Sequence, residues 1–145
     1  MAQKPLFVIF LLIAVSGVFG QTKDALVGKW LVASGDAQIQ IFTSGGKFSG
    51  KIIWLKKAND SAGKPATDDK NPDKTLAKRP ILGLNLINGF TYADEGVWEG
   101  GTIYDPKTGK SYSCKITMIN ENQIHVRGFV GISLLGRTET WSRIR

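Results

Sequence analysis

The sequence has few of the residues that build disulfides, metal centres and catalytic triads. It contains one cysteine and one histidine among 145 residues. A single cysteine excludes an intramolecular disulfide, a CxxC redox pair and a cysteine-based zinc site. A single histidine excludes a His-rich metal cluster and leaves little material for a Ser-His-Asp triad. We therefore expect no metal and no other cofactor, and we expect Cys114 to be a small buried hydrophobic residue.

Long apolar runs are also scarce, and the one that is present lies at the N-terminus. Leu6–Val15 follows Lys4 and is followed by small residues up to Gly20. This order of charge, apolar core and small residues is typical of a secretory signal peptide. The run is shorter than the roughly 20 residues that span a bilayer. We predict cleavage of residues 1–20 and an exported protein, periplasmic or secreted, without stable membrane insertion; a retained anchor is the alternative.

Charge of one sign is in excess but is not clustered. The formal net charge is +7, and removal of the predicted signal peptide lowers it only to +6, because that segment carries Lys4 alone. Aspartates interrupt the densest basic stretch, whereas nucleic-acid binding needs a clustered basic face with stacking aromatics. We expect no nucleic-acid partner and at most a weak attraction to anionic lipid or glycan. The oligomeric state stays open.

The remaining residues, 21–145, show the period-two alternation of β-strands. Ile39 and Ile41 alternate with glutamines, and Ile124 and Val126 flank His125. Such alternation places one face of a strand on a core and the other on solvent. Many short strands at near-regular spacing predict an all-β fold, a single antiparallel up-and-down β-barrel of about eight to ten strands.

Turn chemistry separates the predicted strands. Ser44–Gly46 and Asp105–Gly109 have the glycine and proline placement of tight hairpins. Lys56–Lys78 is polar, contains two prolines and predicts a long surface loop across one barrel end or edge. A short helix is expected around Pro80–Ile87.

Several motifs, taken together and in order, resemble one family over nearly the whole of residues 21–145. That family is the exported bacterial family catalogued as domain of unknown function 2147. The resemblance implies a barrel of the lipocalin (calycin) and fatty-acid-binding type and leaves the biochemical role open. The motifs are Gly28-Lys29-Trp30, Gly50–Lys56, Lys70-Asn71-Pro72, Gly83-Leu84, Trp98–Pro106, Gly109–Tyr112, Val126–Gly131, Gly136–Thr138 and Trp141.

The Gly28-x-Trp30 element also resembles the lipocalin signature at the start of the first strand. That resemblance implies a tryptophan that plugs the closed end of the barrel and a cation from the last strand that lies across it. Arg143 and Arg145 are the candidates for the cation, since a guanidinium stacks on indole and also satisfies carbonyls.

The predicted ligand site combines aromatic residues with an arginine. The interior of a barrel of about eight to ten strands could hold one small apolar ligand, and the alternative is an interior filled by side chains. Arg127 or Arg137 is the predicted anchor for a carboxylate, unless it pairs with Glu139 or Glu99 on the rim. The aromatic residues expected to line or plug the barrel are Trp30, Trp54, Tyr92, Trp98, Tyr104 and Trp141.

Three further segments carry alternatives. Asp68, Asp69, Asn71 and Asp73 offer oxygen ligands for calcium but lack the EF-hand spacing, which favours a solvated turn. The carboxylates of 94–99 suggest glycoside chemistry only if two of them converge in a cleft. The apolar stretch 129–136 predicts a mostly buried hairpin; an exposed tip would indicate a contact with a partner or a membrane.

These observations favour a non-catalytic protein that binds a small apolar or amphipathic, fatty-acid-like ligand in the barrel. The alternative is an envelope protein–protein or membrane-surface interaction module with a packed interior. A hydrolase is the third hypothesis.

Overall fold

A computed structural model of the chain describes residues 3–5, 22–132 and 134–145. A short 3₁₀ helix over Lys23–Leu26 precedes the first strand. The strands are β1 (Gly28–Leu31), β2 (Ala37–Ser44), β3 (Lys47–Leu55), β4 (Asn85–Asp94), β5 (Val97–Asp105), β6 (Lys110–Asn120), β7 (Gln123–Phe129) and β8 (Gly136–Ile144). Of the predicted signal peptide, residues 1–20, all but 3–5 lie outside the described residues.

The eight strands form a closed up-and-down barrel. Each strand pairs antiparallel with the next, and β1 pairs with β8, where Trp30 lies opposite Arg143. The predicted all-β barrel is thus confirmed, with a strand number at the lower limit of the expected range. Within the described part of the chain, none of the helices has the length and hydrophobicity that crossing a bilayer requires.

The topology gives the barrel two different ends. The β2–β3, β4–β5 and β6–β7 turns lie at the end that the 3₁₀ helix covers, which we call the closed end. The connections β1–β2, β3–β4, β5–β6 and β7–β8 lie at the opposite end, which we call the open end. The long β3–β4 connection spans residues 56–84, so the open end carries most of the irregular chain.

Two inward-facing glycines let large side chains cross the interior. A Cβ at Gly101 would lie 2.3 Å from the ring of Phe90, and a Cβ at Gly50 would lie 2.6 Å from Ile87. Phe90 and Ile87 are both almost fully buried. The wall therefore carries no side chain at the points where Phe90 and Ile87 fill the interior. Much of the interior is packed with side chains.

The β3–β4 connection differs from its prediction in two ways. The expected helix around Pro80–Ile87 is absent, because β4 begins at Asn85 and the preceding residues form turns that return the chain to β3. The connection also buries Asp68 completely, so it is folded onto the barrel and is not a fully solvated loop. Its location at one barrel end agrees with the prediction.

Candidate functional site

The closed end is sealed by a tryptophan and an arginine. The ring of Trp30 is fully buried, and its indole N–H donates to the Leu26 carbonyl at 3.0 Å. The Arg143 guanidinium lies 4.3 Å from that ring and donates to the carbonyls of Ala25 (2.5 Å), Val27 (3.1 Å) and Glu121 (2.7 Å). The predicted cation across Trp30 is thus Arg143.

Gly28 allows that arginine to pass close to the chain. A Cβ at Gly28 would lie 2.7 Å from Arg143, and the residue has φ +144°. Only glycine meets both conditions without strain. The Gly28-x-Trp30 motif therefore closes the barrel interior at this end.

The other buried aromatics pack inside the barrel. Trp98 donates from its indole nitrogen to the Lys23 carbonyl. The centroid of the half-buried Tyr92 ring lies 5.1 Å from that of the Trp98 ring. Trp141 is 2% exposed and pairs with Ile124 across the β7–β8 ladder; within the described structure its indole nitrogen has no hydrogen-bond partner. Trp30, Trp98 and Trp141 thus lie in the interior, as expected.

Trp54 does not line the barrel, whereas the half-buried Tyr104 contacts both the core and the β3–β4 connection. A bulge between β2 and β3 pairs Ile39 with Ile52 but Gln38 with Trp54, so the alternation shifts by one residue and Trp54 faces outward, 41% exposed. Tyr104 follows Ile103, which faces the interior, and its hydroxyl instead contacts the β3–β4 connection. The expectation that Trp54 lines the interior is corrected, and Tyr104 packs against the edge of the core while its hydroxyl holds the connection.

Neither predicted arginine anchor faces a buried cavity. Arg127 donates to the Thr138 hydroxyl at 2.8 Å on the neighbouring strand. Arg137 is largely exposed and forms an ion pair with Glu139, which is the rim pairing that the sequence offered as the alternative. Their positions make them residues of the barrel wall and the rim.

A buried carboxylate fastens the β3–β4 connection to β5. Asp68 accepts hydrogen bonds from the Tyr104 hydroxyl at 2.5 Å, from Asn71 Nδ2 at 2.9 Å and from Arg79 Nε at 2.9 Å. Burial opposes ionisation of Asp68, but these donors together outweigh it and hold the pKa of the carboxyl below its ordinary value. Burial and the hydrogen bond to Asp68 raise the pKa of Tyr104 to about 12.

This cluster stands in place of the calcium site that the sequence suggested; Asp69 and Asp73 are exposed, as the favoured solvated turn predicts, and Asp68 alone is fully buried. Asp68 uses its oxygens on protein donors, and no group of three or more metal-ligating side chains occurs among the described residues. The sequence contains no local signal for the cluster, because Tyr104 lies 36 residues from Asp68.

The fastened connection forms one wall of a cleft of about 480 Å³ at the open end, which we call the mouth cleft. Its apolar residues are Leu55, Ala66, Ile81 and Pro106. Leu55 and Ile81 also pack against the hydrophobic core, so the floor of the cleft is the top of the barrel interior.

The rim of the mouth cleft is charged. Lys57, Lys70 and Lys107 line it together with Asp36 and Asp69. Lys107 lies 3.8 Å from Asp36, whereas within the described structure Lys57 and Lys70 form no ion pair. An apolar floor below unpaired ammonium groups suits an amphipathic anion.

The β7–β8 connection exposes its apolar side chains. Val130, Ile132, Leu134 and Leu135 are 66%, 58%, 84% and 68% exposed. The prediction of a mostly buried hairpin is wrong, because the connection extends beyond the barrel end, where none of the elements in residues 22–132 and 134–145 covers it. We call these four side chains the apolar tip.

The acidic residues considered for hydrolysis lie far from the mouth cleft. Asp94 ends β4, Glu95 lies in the β4–β5 turn and Glu99 is exposed near the start of β5, all towards the closed end. Cys114 is buried and free, and burial raises the pKa of its thiol to about 12. The thiol is thus a core residue, as predicted.

Comparison with known proteins agrees with this fold. Residues 28–143 match a family described as uncharacterized protein conserved in bacteria (DUF2147). Among solved structures, the chain is similar to protein HP1028 from the human pathogen Helicobacter pylori, described as belonging to the lipocalin family, with 19% identity, 83% of each chain covered and a TM-score of 0.73. At that identity the similarity concerns the fold alone. No curated protein matches the sequence.

Proposed function

We propose that this chain, which belongs to the bacterial family DUF2147, is a non-catalytic protein that binds a small amphipathic anion in the mouth cleft. The observation that carries the proposal is the combination of an apolar floor with unpaired lysines at the open end of a lipocalin-like barrel. The volume of about 480 Å³ lies within the usual range for small-molecule sites.

The chemistry of the cleft defines the ligand class. An acyl chain would lie against Leu55, Ala66, Ile81 and Pro106, and its carboxylate would meet Lys57 or Lys70. An ammonium head group would be repelled by the same lysines, and a neutral head group would lose the ion pair. A fatty acid or a similar amphipathic anion therefore fits better than an uncharged hydrocarbon.

A comparison of three ligands with one tail tests this assignment. Dodecanoate, dodecanol and dodecylammonium are titrated into the purified protein, and binding is followed by calorimetry and by the melting temperature. We expect dodecanoate to bind best. Absence of binding by all three would refute the proposal, and equal binding by all three would refute the role of the lysines.

A pair of double variants locates the head group. Lys57→Ser with Lys70→Ser removes the two unpaired lysines of the cleft, and Lys29→Ser with Lys47→Ser removes the same charge from exposed positions outside it. We expect dodecanoate affinity to fall about two- to thirtyfold in the first variant, because each exposed ion pair contributes about 0.2–1 kcal/mol. The second variant should bind as the wild type does.

Export through a cleaved signal peptide is part of the proposal. Native mass spectrometry of protein purified from its own host would show both the mature N-terminus, expected at Gln21, and any ligand carried through purification. A chain that retains residues 1–20 would contradict export by cleavage.

One observation favours the alternative function, an envelope protein–protein or membrane-surface interaction module with a packed interior. That observation is the exposure of the apolar tip at the open end. The two functions are compatible, because the apolar tip belongs to the β7–β8 connection and the mouth cleft is lined by the other three connections of that end.

A further inference from the structure

Backbone hydrogen bonds order the apolar tip, and a glycine lies at its base. The Val130 N–H donates to the Leu135 carbonyl at 3.3 Å, and the Leu135 N–H donates to the Ile132 carbonyl at 3.0 Å. At its base, a Cβ at Gly136 would lie 2.4 Å from the carbonyl oxygen of Gly128, so a side chain at this position would clash with the end of β7. The connection therefore holds four aliphatic side chains outward, and a contiguous exposed apolar patch of this kind marks an interaction site.

The connections at the two ends of the barrel differ in net charge. The open-end connections contain eight lysines and arginines and five aspartates, in residues 32–36, 56–84, 106–109 and 130–135. The closed-end segments contain two cations and three carboxylates, in residues 22–27, 45–46, 95–96, 121–122 and 145. The connections of the open end thus carry a net charge of +3 and those of the closed end a net charge of −1, while the strands between them carry the remaining +4.

We propose that the open end docks on an anionic lipid bilayer, with the apolar tip inserted at the level of the head groups and the surrounding lysines on the lipid phosphates. A protruding loop of aliphatic side chains needs no shape-complementary partner in a bilayer, whereas protein interfaces are enriched in aromatic residues, Met and Arg. Anionic head groups attract nearby lysines. This inference goes beyond ligand binding, and docking in this orientation turns the mouth cleft towards the membrane.

Vesicle binding by matched variants tests the inference. The purified protein is sedimented with vesicles of equal parts phosphatidylglycerol and phosphatidylcholine, and with vesicles of phosphatidylcholine alone. The test variant is Leu134→Ser with Leu135→Ser. The control is Ile119→Ser, which removes an aliphatic side chain that is 45% exposed and lies near the closed end. Circular dichroism confirms that each variant is folded, which the exposure of these side chains leads us to expect.

We expect the wild type to bind the anionic vesicles. Affinity should fall at least about tenfold in the double variant, because two leucines that the bilayer would bury are lost. It should be unchanged in Ile119→Ser. Binding should weaken as salt rises and as phosphatidylglycerol is removed. A Leu134→Trp variant should show a blue shift of its fluorescence on vesicle addition.

Three results would overturn the inference: no vesicle binding, equal binding by the double variant, or self-association that the double variant abolishes in the absence of vesicle binding. The last would assign the apolar tip to a second copy of the chain. Dodecanoate binding is measured without vesicles and depends on Lys57 and Lys70, so failure of the docking inference is distinguishable from failure of the proposed ligand site.

Discussion

Replacing Tyr104 with phenylalanine removes one oxygen atom from the cluster that holds the wall of the mouth cleft. The Tyr104 hydroxyl donates at 2.5 Å to Asp68, a carboxylate with no exposed surface. Hydrogen bonds to charged groups contribute about 1.5–3 kcal/mol. Asp68 keeps its bonds from Asn71 and Arg79 in the variant, so we expect a loss of about 2 kcal/mol in the free energy of unfolding.

The assay is chemical denaturation at neutral pH, with the m-value as the check that unfolding stays two-state. Tyr112→Phe is the matched control, because Tyr112 is half-buried and its hydroxyl has no hydrogen bond within the described structure. Its unfolding free energy should change by less than about 0.5 kcal/mol, as for an ordinary surface substitution. A Tyr104→Phe loss as small as that of the control would refute the role of the cluster.

The same variant should alter the pH dependence of stability at both limits. The lowered pKa of Asp68 means that its contribution is present above the ordinary value of 3.8 and is lost as the pH falls through the lower folded-state pKa. The raised pKa of Tyr104 means that its contribution is present below about 10 and is lost as the pH rises towards about 12. Tyr104→Phe should therefore lose less unfolding free energy than the wild type does as the pH falls to the acidic limit or rises to the alkaline limit. An unchanged profile would contradict the assignment.

Three further substitutions or treatments test the closed end and the core. Arg143→Lys keeps the charge on Trp30 but loses the planar fork that reaches three carbonyls, so denaturation should show a loss of about 1–3 kcal/mol; wild-type stability would count against the capping role. Gly101→Ala should cost about 1–3 kcal/mol by overpacking against Phe90, and a gain in stability would show that the ring moves freely. Cys114, with its pKa raised to about 12 by burial, should react with a thiol reagent only on unfolding; rapid native labelling would contradict its burial.

The fold could be predicted from the sequence because its determinants are local. Alternation along each strand and glycine-containing turns specify antiparallel neighbours, and the Gly28-x-Trp30 element indicated which residue closes the barrel. The cation from the last strand was implied by the resemblance of that element to the lipocalin signature, with Arg143 and Arg145 as candidates, and Arg143 is the one that pairs with Trp30. These features depend on residues a few positions apart or on one ladder.

The site was less predictable because its determinants are long-range or irregular. One bulge in the β2–β3 ladder moves Trp54 from the inner to the outer face, and no composition signal marks such a bulge. The Asp68–Tyr104 contact joins two distant segments. The apolar pattern of 129–136 is compatible with a buried hairpin and with an exposed tip. Which of the two forms depends on whether the neighbouring connections are long enough to cover it.

The central claim, that an amphipathic anion binds at the open end and not deep in the barrel, is tested most directly by backbone amide NMR. Dodecanoate is titrated into the isotopically labelled protein, and the amide shifts are mapped on the structure. The account predicts the largest changes at Leu55, Lys70, Ile81 and Lys107 around the mouth cleft. Changes centred instead on Trp98 and Trp141 in the packed interior, or no changes at all, would contradict it.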